Sequence, residues 1–312
     1  MSAQVWTTDE LLADVRRQGH LSMDDPDGTD AELIAVMNRV MARRFVPLVR
    51  KVRSDYYVTW ADQTLVADQQ DYRIPVRATT NSVRNVVWVD TTGHETPMDP
   101  VALTDRHAYA TARGYPTAYT IQDDYLIVLP TPNSNAGTLR VYFERRPSTL
   151  VLAASALAVT AVASGQLTFG SDPDAFASGL SDVARYQPPF SLAVRDAQFV
   201  PTTGSALTYT AASHDRTPVV GDYICHAGET PFPQLPPEMH PLLALATAAE
   251  VIRPIDPAAA GLLMADYQDG MNEAVKLLQP RQQGRQVKVR NSSSMLRRGG
   301  ALRGGGTFSD WD

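Results

Sequence analysis

Hydrophobic and polar positions change their period twice along the chain of 312 residues, which predicts helices at both ends and strands between them. A helix is predicted over residues 9–17, and a stronger one begins at the capping box of Thr29 and Glu32. Apolar residues then recur at helical spacing as far as Phe45. Pro47 is expected to disturb this helix near its end, because proline lacks the backbone N–H.

Two further helices are predicted near the other end of the chain. The first covers about 238–252, is rich in Ala and Leu, and stops at Pro254. Asp256 caps the second, which ends near residue 280. One apolar stripe runs along it, formed by Leu263, Tyr267, Met271 or Ala274, and Leu278.

Short strands separated by turn residues fill the middle of the chain, a pattern typical of an antiparallel sandwich or barrel. The clearest unit is a hairpin over 114–132, which turns at Asp123 and Asp124. Other strands are expected at 56–60 and 63–66 (a hairpin turning at Ala61 and Asp62), 82–90, 138–145, 157–163 and 166–169 (a hairpin), 207–209 and 223–226. Residues 172–189 are weakly patterned and are predicted to be a loop.

Together these elements predict an α+β protein. Residues 1–54 and 238–280 form a helical bundle, because helices at both ends have apolar faces to bury. Residues 55–237 form an inserted β-rich domain of antiparallel sandwich or barrel type. Residues 281–312 form an extended, flexible, basic arm.

Composition and charge narrow the possible functions. Apolar residues make up 44% of the chain and charged residues 20%, which is globular composition. The net charge is −6, which argues against tight nucleic-acid binding but leaves passive contact with DNA open. The charge is uneven, because 281–312 hold seven basic and two acidic side chains, a net +5, and the rest carries −11.

Membrane and cysteine chemistry find little support in the sequence. The first residues lack the basic and apolar regions of a signal peptide, and the apolar run 150–163 is too short to span a bilayer. A soluble protein made in a cytoplasm is expected. The single cysteine, Cys225, permits neither an internal disulfide nor a cysteine-based zinc site, and is interpreted as a buried apolar residue.

Catalytic and metal-binding motifs are also missing from the sequence. It has no P-loop and no Gly-x-Ser-x-Gly elbow. Six scattered histidines lack metal-ligand spacing and are interpreted as turn or surface residues: His20, His94, His107, His214, His226 and His240. A calcium loop around Gly28 fails, because Met23 and Ile34 occupy its first and twelfth positions. Neither an enzyme nor a cofactor is therefore expected.

Carboxylate pairs and aromatic residues in the predicted strands leave one enzymatic alternative. Asp55 with Asp62, or Glu229 with Glu238, could act in glycoside hydrolysis, although their spacing does not require it. A glycan-binding or carbohydrate-active β domain is suggested by Tyr56, Tyr57, Trp60 and Trp88. Aromatic residues at alternating strand positions are more often core or interface, so this interpretation is secondary.

Basic residues cluster in two places. Arg39, Arg43 and Arg44, followed by Arg50, Lys51 and Arg53, are interpreted as a solvated helix face rather than a contact with an acidic protein or with phosphates. The arm has too little apolar content to order alone. Its basic charge and spaced apolar side chains favour ordering on a partner.

Several segments together resemble the head-to-tail adaptors of tailed bacteriophages, and tubular tail proteins of short-tailed phages share similar segments. The segments are 29–52, 54–59 (SDYYVT), 71–75 (DYRIP), 114–119 (GYPTAY), 126–132 (LIVLPTP) and 140–147 (RVYFERRP). These segments are structural and are not catalytic motifs. The resemblance covers most of residues 1–280.

The resemblance implies a structural virion protein at the head-to-tail interface, in a ring of about twelve copies that joins the portal to the tail and lines the DNA exit channel. It implies as partners the portal protein, a tail nozzle or tail-tube protein, and genomic DNA in passive contact, with no membrane. The arm is expected to bind the portal through Arg281, Arg285, Lys288, Arg290, Met295, Leu296, Arg297, Arg298, Arg303, Phe308 and Trp311. A tail-tube or tail-terminator protein is the near alternative.

Overall fold

Helices lie at both ends of the part of the chain that the computed structural model describes, which is residues 5–22, 28–109, 111–163, 165–186, 192–202, 204–212 and 215–278. The α-helices are α1 (Thr8–Gly19), α2 (Asp30–Val40), α3 (Val46–Val52), α4 (His240–Ile252) and α5 (Pro257–Leu278). The mixed α+β class is confirmed, with eighteen strands between α3 and α4 in the described residues.

Local chemistry fixes the helix ends. At the start of α1, the Thr7 hydroxyl accepts the Glu10 N–H and the Glu10 carboxylate accepts the Thr7 N–H, a reciprocal capping box. Asp256 caps α5 by accepting two backbone N–H groups at 3.0 Å. Between α2 and α3 the segment Met41–Phe45 is a π-helical turn, so the disturbance expected from Pro47 widens the helix instead of ending it.

Helices from both ends of the chain pack on one hydrophobic cluster. Helix α4 contacts α1, α2 and α5, and is buried along most of its length. Leu11, Met37 and Leu243 are fully buried in the cluster, and the rings of Phe45 and Tyr267 meet edge to face at 5.9 Å. Residues more than two hundred positions apart therefore share the same core.

A first β module follows α3. Its strands are β1 (Val58–Thr64), β2 (Asp71–Arg73), β3 (Ala78–Val89), β4 (Glu95–Pro97), β5 (Asp99–Pro100), β6 (Arg113–Gly114), β7 (Ala118–Gln122), β8 (Tyr125–Leu129), β9 (Thr131–Pro132), β10 (Thr138–Arg145) and β11 (Thr149–Leu150). Two sheets, ordered β1-β10-β3-β4 and β2-β8-β7-β5, enclose a common cluster that includes Leu126, Leu139 and Val141.

The hairpin predicted at 114–132 is confirmed as β7 and β8, with Asp123 in the left-handed region at φ 53°. The hairpin predicted at 56–66 is wrong, because β1 runs through Ala61 and Asp62 without a turn. Asp62 lies opposite Arg140 on β10 and accepts from its guanidinium at 2.8 and 3.0 Å, which compensates a carboxylate in mid-strand. This ion pair stabilises Asp62 within the strand, at the position where the sequence predicted a turn.

A closed six-stranded barrel forms the second β module. The remaining strands are β12 (Leu157–Ala163), β13 (Gln166–Phe169), β14 (Leu180–Ala184), β15 (Leu192–Pro201), β16 (Ala206–Tyr209), β17 (Tyr223–His226) and β18 (Glu229–Thr230). The barrel order is β12-β13-β16-β15-β14-β17, whereas β18 pairs with β11. Its core includes Phe199, Leu207 and Ile224, and Cys225 on β17 is fully buried, as expected.

The loop predicted at 172–189 is wrong over much of its length. Asp174–Ala177 is a short 3₁₀ helix, and β14 is a barrel strand paired with both β15 and β17. Asp182 interrupts the apolar pattern of β14, yet it is fully buried because its carboxylate is paired. A polar residue in the barrel wall therefore made a strand look like a loop. Residues 187–189 lie outside the described residues.

Among the histidines that the structure describes, His240 is an exception to the interpretation as turn or surface residues, and His214 lies outside the described residues. His240 is fully buried at the start of α4, where its Nδ1 accepts the Trp6 N–H at 3.2 Å. Its Nε2 therefore carries the proton and donates to the Leu235 carbonyl at 3.1 Å. Burial lowers the pKa of His240 to about 4, so the neutral ring joins the N-terminal segment to α4.

We predict that acid weakens the fold through His240. The unfolded chain binds a proton below pH 6.5 that the folded chain binds only near pH 4, so stability falls as pH falls between these values. From pH 7 to pH 5 the free energy of unfolding should drop by about 2 kcal/mol more in the wild type than in His240→Gln. Urea unfolding at both pH values measures this drop, and His94→Gln, in an exposed turn, is the control. Equal losses in wild type and His240→Gln would contradict the prediction.

Candidate assembly surfaces

The candidate catalytic carboxylates are dispersed over the fold. Asp55 pairs with Arg53 at 3.4 Å, and Asp62 pairs with Arg140 on the neighbouring strand. Within the described ranges no three His, Cys, Asp or Glu side chains are grouped so as to hold a metal ion. Nor is any described helix long and apolar enough to cross a membrane.

The aromatic residues that suggested glycan binding lie against protein groups. Tyr57 is 3% exposed, and its hydroxyl donates to the Gln234 carbonyl at 3.1 Å. Trp60 lies 6.1 Å from the Tyr142 ring, and Trp88 lies 5.1 Å from the Tyr115 ring. These side chains are therefore used in packing.

A charge network centred on the buried Asp182 joins the two β modules. Arg77, between β2 and β3, donates to Asp182 of the barrel at 2.5 Å and to Asp196 at 2.8 Å. Asp182 also accepts the backbone N–H groups of Asp196 (2.8 Å) and Gly228 (3.0 Å). Burial acts to lower the pKa of Arg77, but the two carboxylates outweigh it and raise that pKa. The joint between the modules is thus held by charge-assisted hydrogen bonds.

A second arginine is buried beside this network. Arg145 ends β10 on the same face as Leu139, Val141 and Phe143, and is 6% exposed. Burial, followed by repulsion from Arg195, lowers its pKa to about 10. The alternation along β10 already places residue 145 on the inward face. That pattern could have revealed Arg145, whereas the sequence does not show which carboxylates lie near it.

The cluster of basic residues in the first helices divides into two groups. Arg44 pairs with Glu250 at 2.9 Å, and Arg50 lies 3.6 Å from Glu144. Both are partly buried, so the interpretation as a solvated face is wrong for them. The exposed residues on the outer side of α2, the π-helical turn and α3 form what we call the basic face: Ala35, Arg39, Ala42, Arg43, Pro47 and Lys51. Its three cations make no ion pair with any side chain in the described parts of the chain.

Helix α5 carries the opposite charge on its outer side. We call the exposed row of Leu262, Asp266, Asp269, Glu273 and Leu277 the acidic stripe. Its spacing of three and four residues keeps it on one side of the helix, opposite the buried Tyr267 and Met271. Leu262 is 72% exposed and Leu277 61%. The apolar stripe of α5 was predicted from the sequence and this exposed row was not, although the spacing of its carboxylates is visible there.

The arm residues predicted to bind a partner, Arg281 to Trp311, all lie outside the described residues. The structure therefore leaves the contacts of the arm as a prediction from sequence.

Comparison with protein-family models gives a match to the family described as SU10 adaptor protein, over residues 6–215. The chain belongs to this family. SU10 adaptor proteins are head-to-tail adaptors of bacteriophages, which are structural components of the virion. No curated protein matches the chain.

Membership implies interaction with portal and tail components. The matched span contains α1 to α3, the first β module and barrel strands β12 to β16. Helices α4 and α5 and the arm lie beyond it. The basic face of the SU10 adaptor is thus inside the matched span, and the acidic stripe is outside.

We predict that Asp182 contributes most of the stability at the joint between the modules. Asp182→Asn leaves the partly buried Arg77 without its main, fully buried counter-charge and should lower the free energy of unfolding by about 3 kcal/mol. Asp196→Asn is the matched control, because Asp196 is 39% exposed and should cost less than about 1 kcal/mol. Urea unfolding at pH 7 measures the free energy of unfolding of both variants. Equal losses in the two variants would contradict the prediction.

Proposed function

We propose that this SU10 adaptor is a non-enzymatic protein that forms a ring, joins the portal to the tail and lines the DNA exit channel. The observation that carries the proposal is the family match over residues 6–215. The ring has about twelve copies, is built from protein made in the host cytoplasm, and needs no cofactor. The ring contacts the portal on one side and the tail nozzle or a tail-tube protein on the other.

In the proposed ring, residues 1–54 and 238–280 form a helical bundle and residues 55–237 an inserted β domain. The cluster shared by α1, α2, α4 and α5 supports this division, because it closes the two ends of the chain on each other. Bundles of neighbouring copies pack side by side. The β domain then points outward or towards the tail. Its two modules are joined by the ion pair of Arg77 and Asp182.

The uneven charge of the chain suits a channel for DNA. The arm carries +5 and the remaining residues −11. Each phosphate that a protein neutralises adds affinity for DNA, and a channel wall must let DNA slide. An acidic body therefore favours passive contact with the genome, while the basic arm of residues 281–312 binds the portal.

We predict that the purified protein assembles into a uniform ring on the portal. Native mass spectrometry and electron microscopy of the adaptor, alone and with portal, measure the copy number. A chain that stays monomeric even with portal present would overturn the proposal. Copurification with tail-tube components in place of portal would instead favour a tail-tube or tail-terminator protein.

We predict that deleting residues 281–312 leaves the thermal midpoint unchanged but weakens portal binding at least about tenfold, because the deletion removes the basic charges and their apolar neighbours. Biolayer interferometry on immobilised portal measures the affinity. A matched variant with the seven basic residues of the arm changed to Gln separates charge from length. Unchanged affinity after the deletion would remove the arm from the proposed interface.

A further inference from the structure

We propose that neighbouring copies of the chain bind each other through the acidic stripe of α5 on one copy and the basic face of α2 on the next. This inference rests on the proposed ring, and it names the surfaces that would close it. A head-to-tail contact needs two different, complementary surfaces on each copy, and repetition of that contact closes into a ring when the rotation allows.

The two surfaces are complementary in charge. Arg39 and Arg43 are exposed without an ion pair to any residue in the described ranges, and so are Asp266, Asp269 and Glu273. Both surfaces point away from the hydrophobic cluster that their helices share. Each chain therefore presents charges of opposite sign on two separate helices, which a second copy can pair and which the described residues of the same copy leave without an ion pair.

The order of charges selects an antiparallel pairing. Along α2 and the π-helical turn that follows it, the exposed charges run from Glu32 to Arg39 and Arg43. Along α5, read backwards, they run from Lys276 through Glu273 and Asp269 to Asp266, and in this register Glu273 lies opposite the small Ala35. From Glu32 to Arg43 there are eleven residue steps and from Lys276 to Asp266 ten, which correspond to about 16 Å and 15 Å of helix. Antiparallel helices can therefore place Glu32 beside Lys276, Arg39 beside Asp269, and Arg43 beside Asp266.

Side-chain size is also complementary in this register. Leu262 comes to lie at Pro47, and the other exposed leucine of the stripe, Leu277, lies at the start of α2. The basic face offers two small side chains beside its arginines: Ala35 lies one turn before Arg39, and Ala42 lies between Arg39 and Arg43. Small residues let a neighbouring helix approach closely, so the two leucines can bury their apolar surface at the ends of a charged contact.

Charge reversal tests the pairing. Arg39→Glu with Arg43→Glu, or Asp266→Lys with Asp269→Lys, should each weaken association between copies by about 100-fold, because like charges then face each other. All four changes in one chain restore complementarity and should restore the ring. Arg73→Glu with Arg216→Glu reverses two exposed charges on the β modules and is the matched control. Circular dichroism checks that every variant is folded.

Disulfide trapping tests the register. The native Cys225 is fully buried and should not form a disulfide between copies. Any disulfide link between copies then comes from the introduced cysteines. Arg39→Cys with Asp269→Cys should link copies into a ladder on a non-reducing gel, whereas Arg39→Cys with Leu262→Cys should not.

The outcomes separate this inference from the proposed function. A wild-type ring that persists unchanged in both reversed variants overturns the interface and leaves the ring intact. A wild-type chain that forms no ring with portal overturns both. Rings lost in the reversed variants, restored in the fourfold variant and trapped in the expected register support the interface.

Discussion

Burial of α4 is the constraint on which the helical part of the molecule depends. Its buried alanines, among them Ala244, Ala246 and Ala248, let other helices approach its backbone closely. Helices α1 and α2 precede it by some two hundred residues, and Thr8 and Trp6 make hydrogen bonds to the segment that leads into α4 and to α4 itself. The N-terminal helices cannot complete their core until the whole β region has been made, so the last part of the chain decides when the first part is buried.

The joint between the β modules shows a different balance of forces. Ion pairs replace apolar packing where Arg77 meets Asp182, and a cavity of about 620 Å³ lies along the same junction, lined by residues of both modules. A buried pair of this kind contributes directionality, because its hydrogen bonds are satisfied in one orientation of the modules. The two β modules are therefore oriented by a few polar contacts and stabilised separately by their own cores.

Sequence could predict what local chemistry determines. The start of α1 follows from Thr7 and Glu10, and the hairpin of β7 and β8 follows from Asp123, because the groups that decide them are within a few residues. Asp62 and Asp182 were misinterpreted because their partners lie 78 and 105 residues away and compensate charge inside strands. For the surfaces, the charged arm was visible in composition, and the acidic stripe of α5 could have been found from the spacing of its carboxylates on the side opposite the predicted apolar stripe.

The closed barrel has a consequence for copies that meet before they are assembled. An open sheet ends in strands with unpaired backbone groups, and those groups can recruit a strand from another molecule. In the barrel, β12 pairs with both β13 and β17, so the ring of strands has no terminal member. Colliding barrels can therefore separate again unchanged, and lasting association is left to side chains, whose charges respond to salt and to the arrival of a partner.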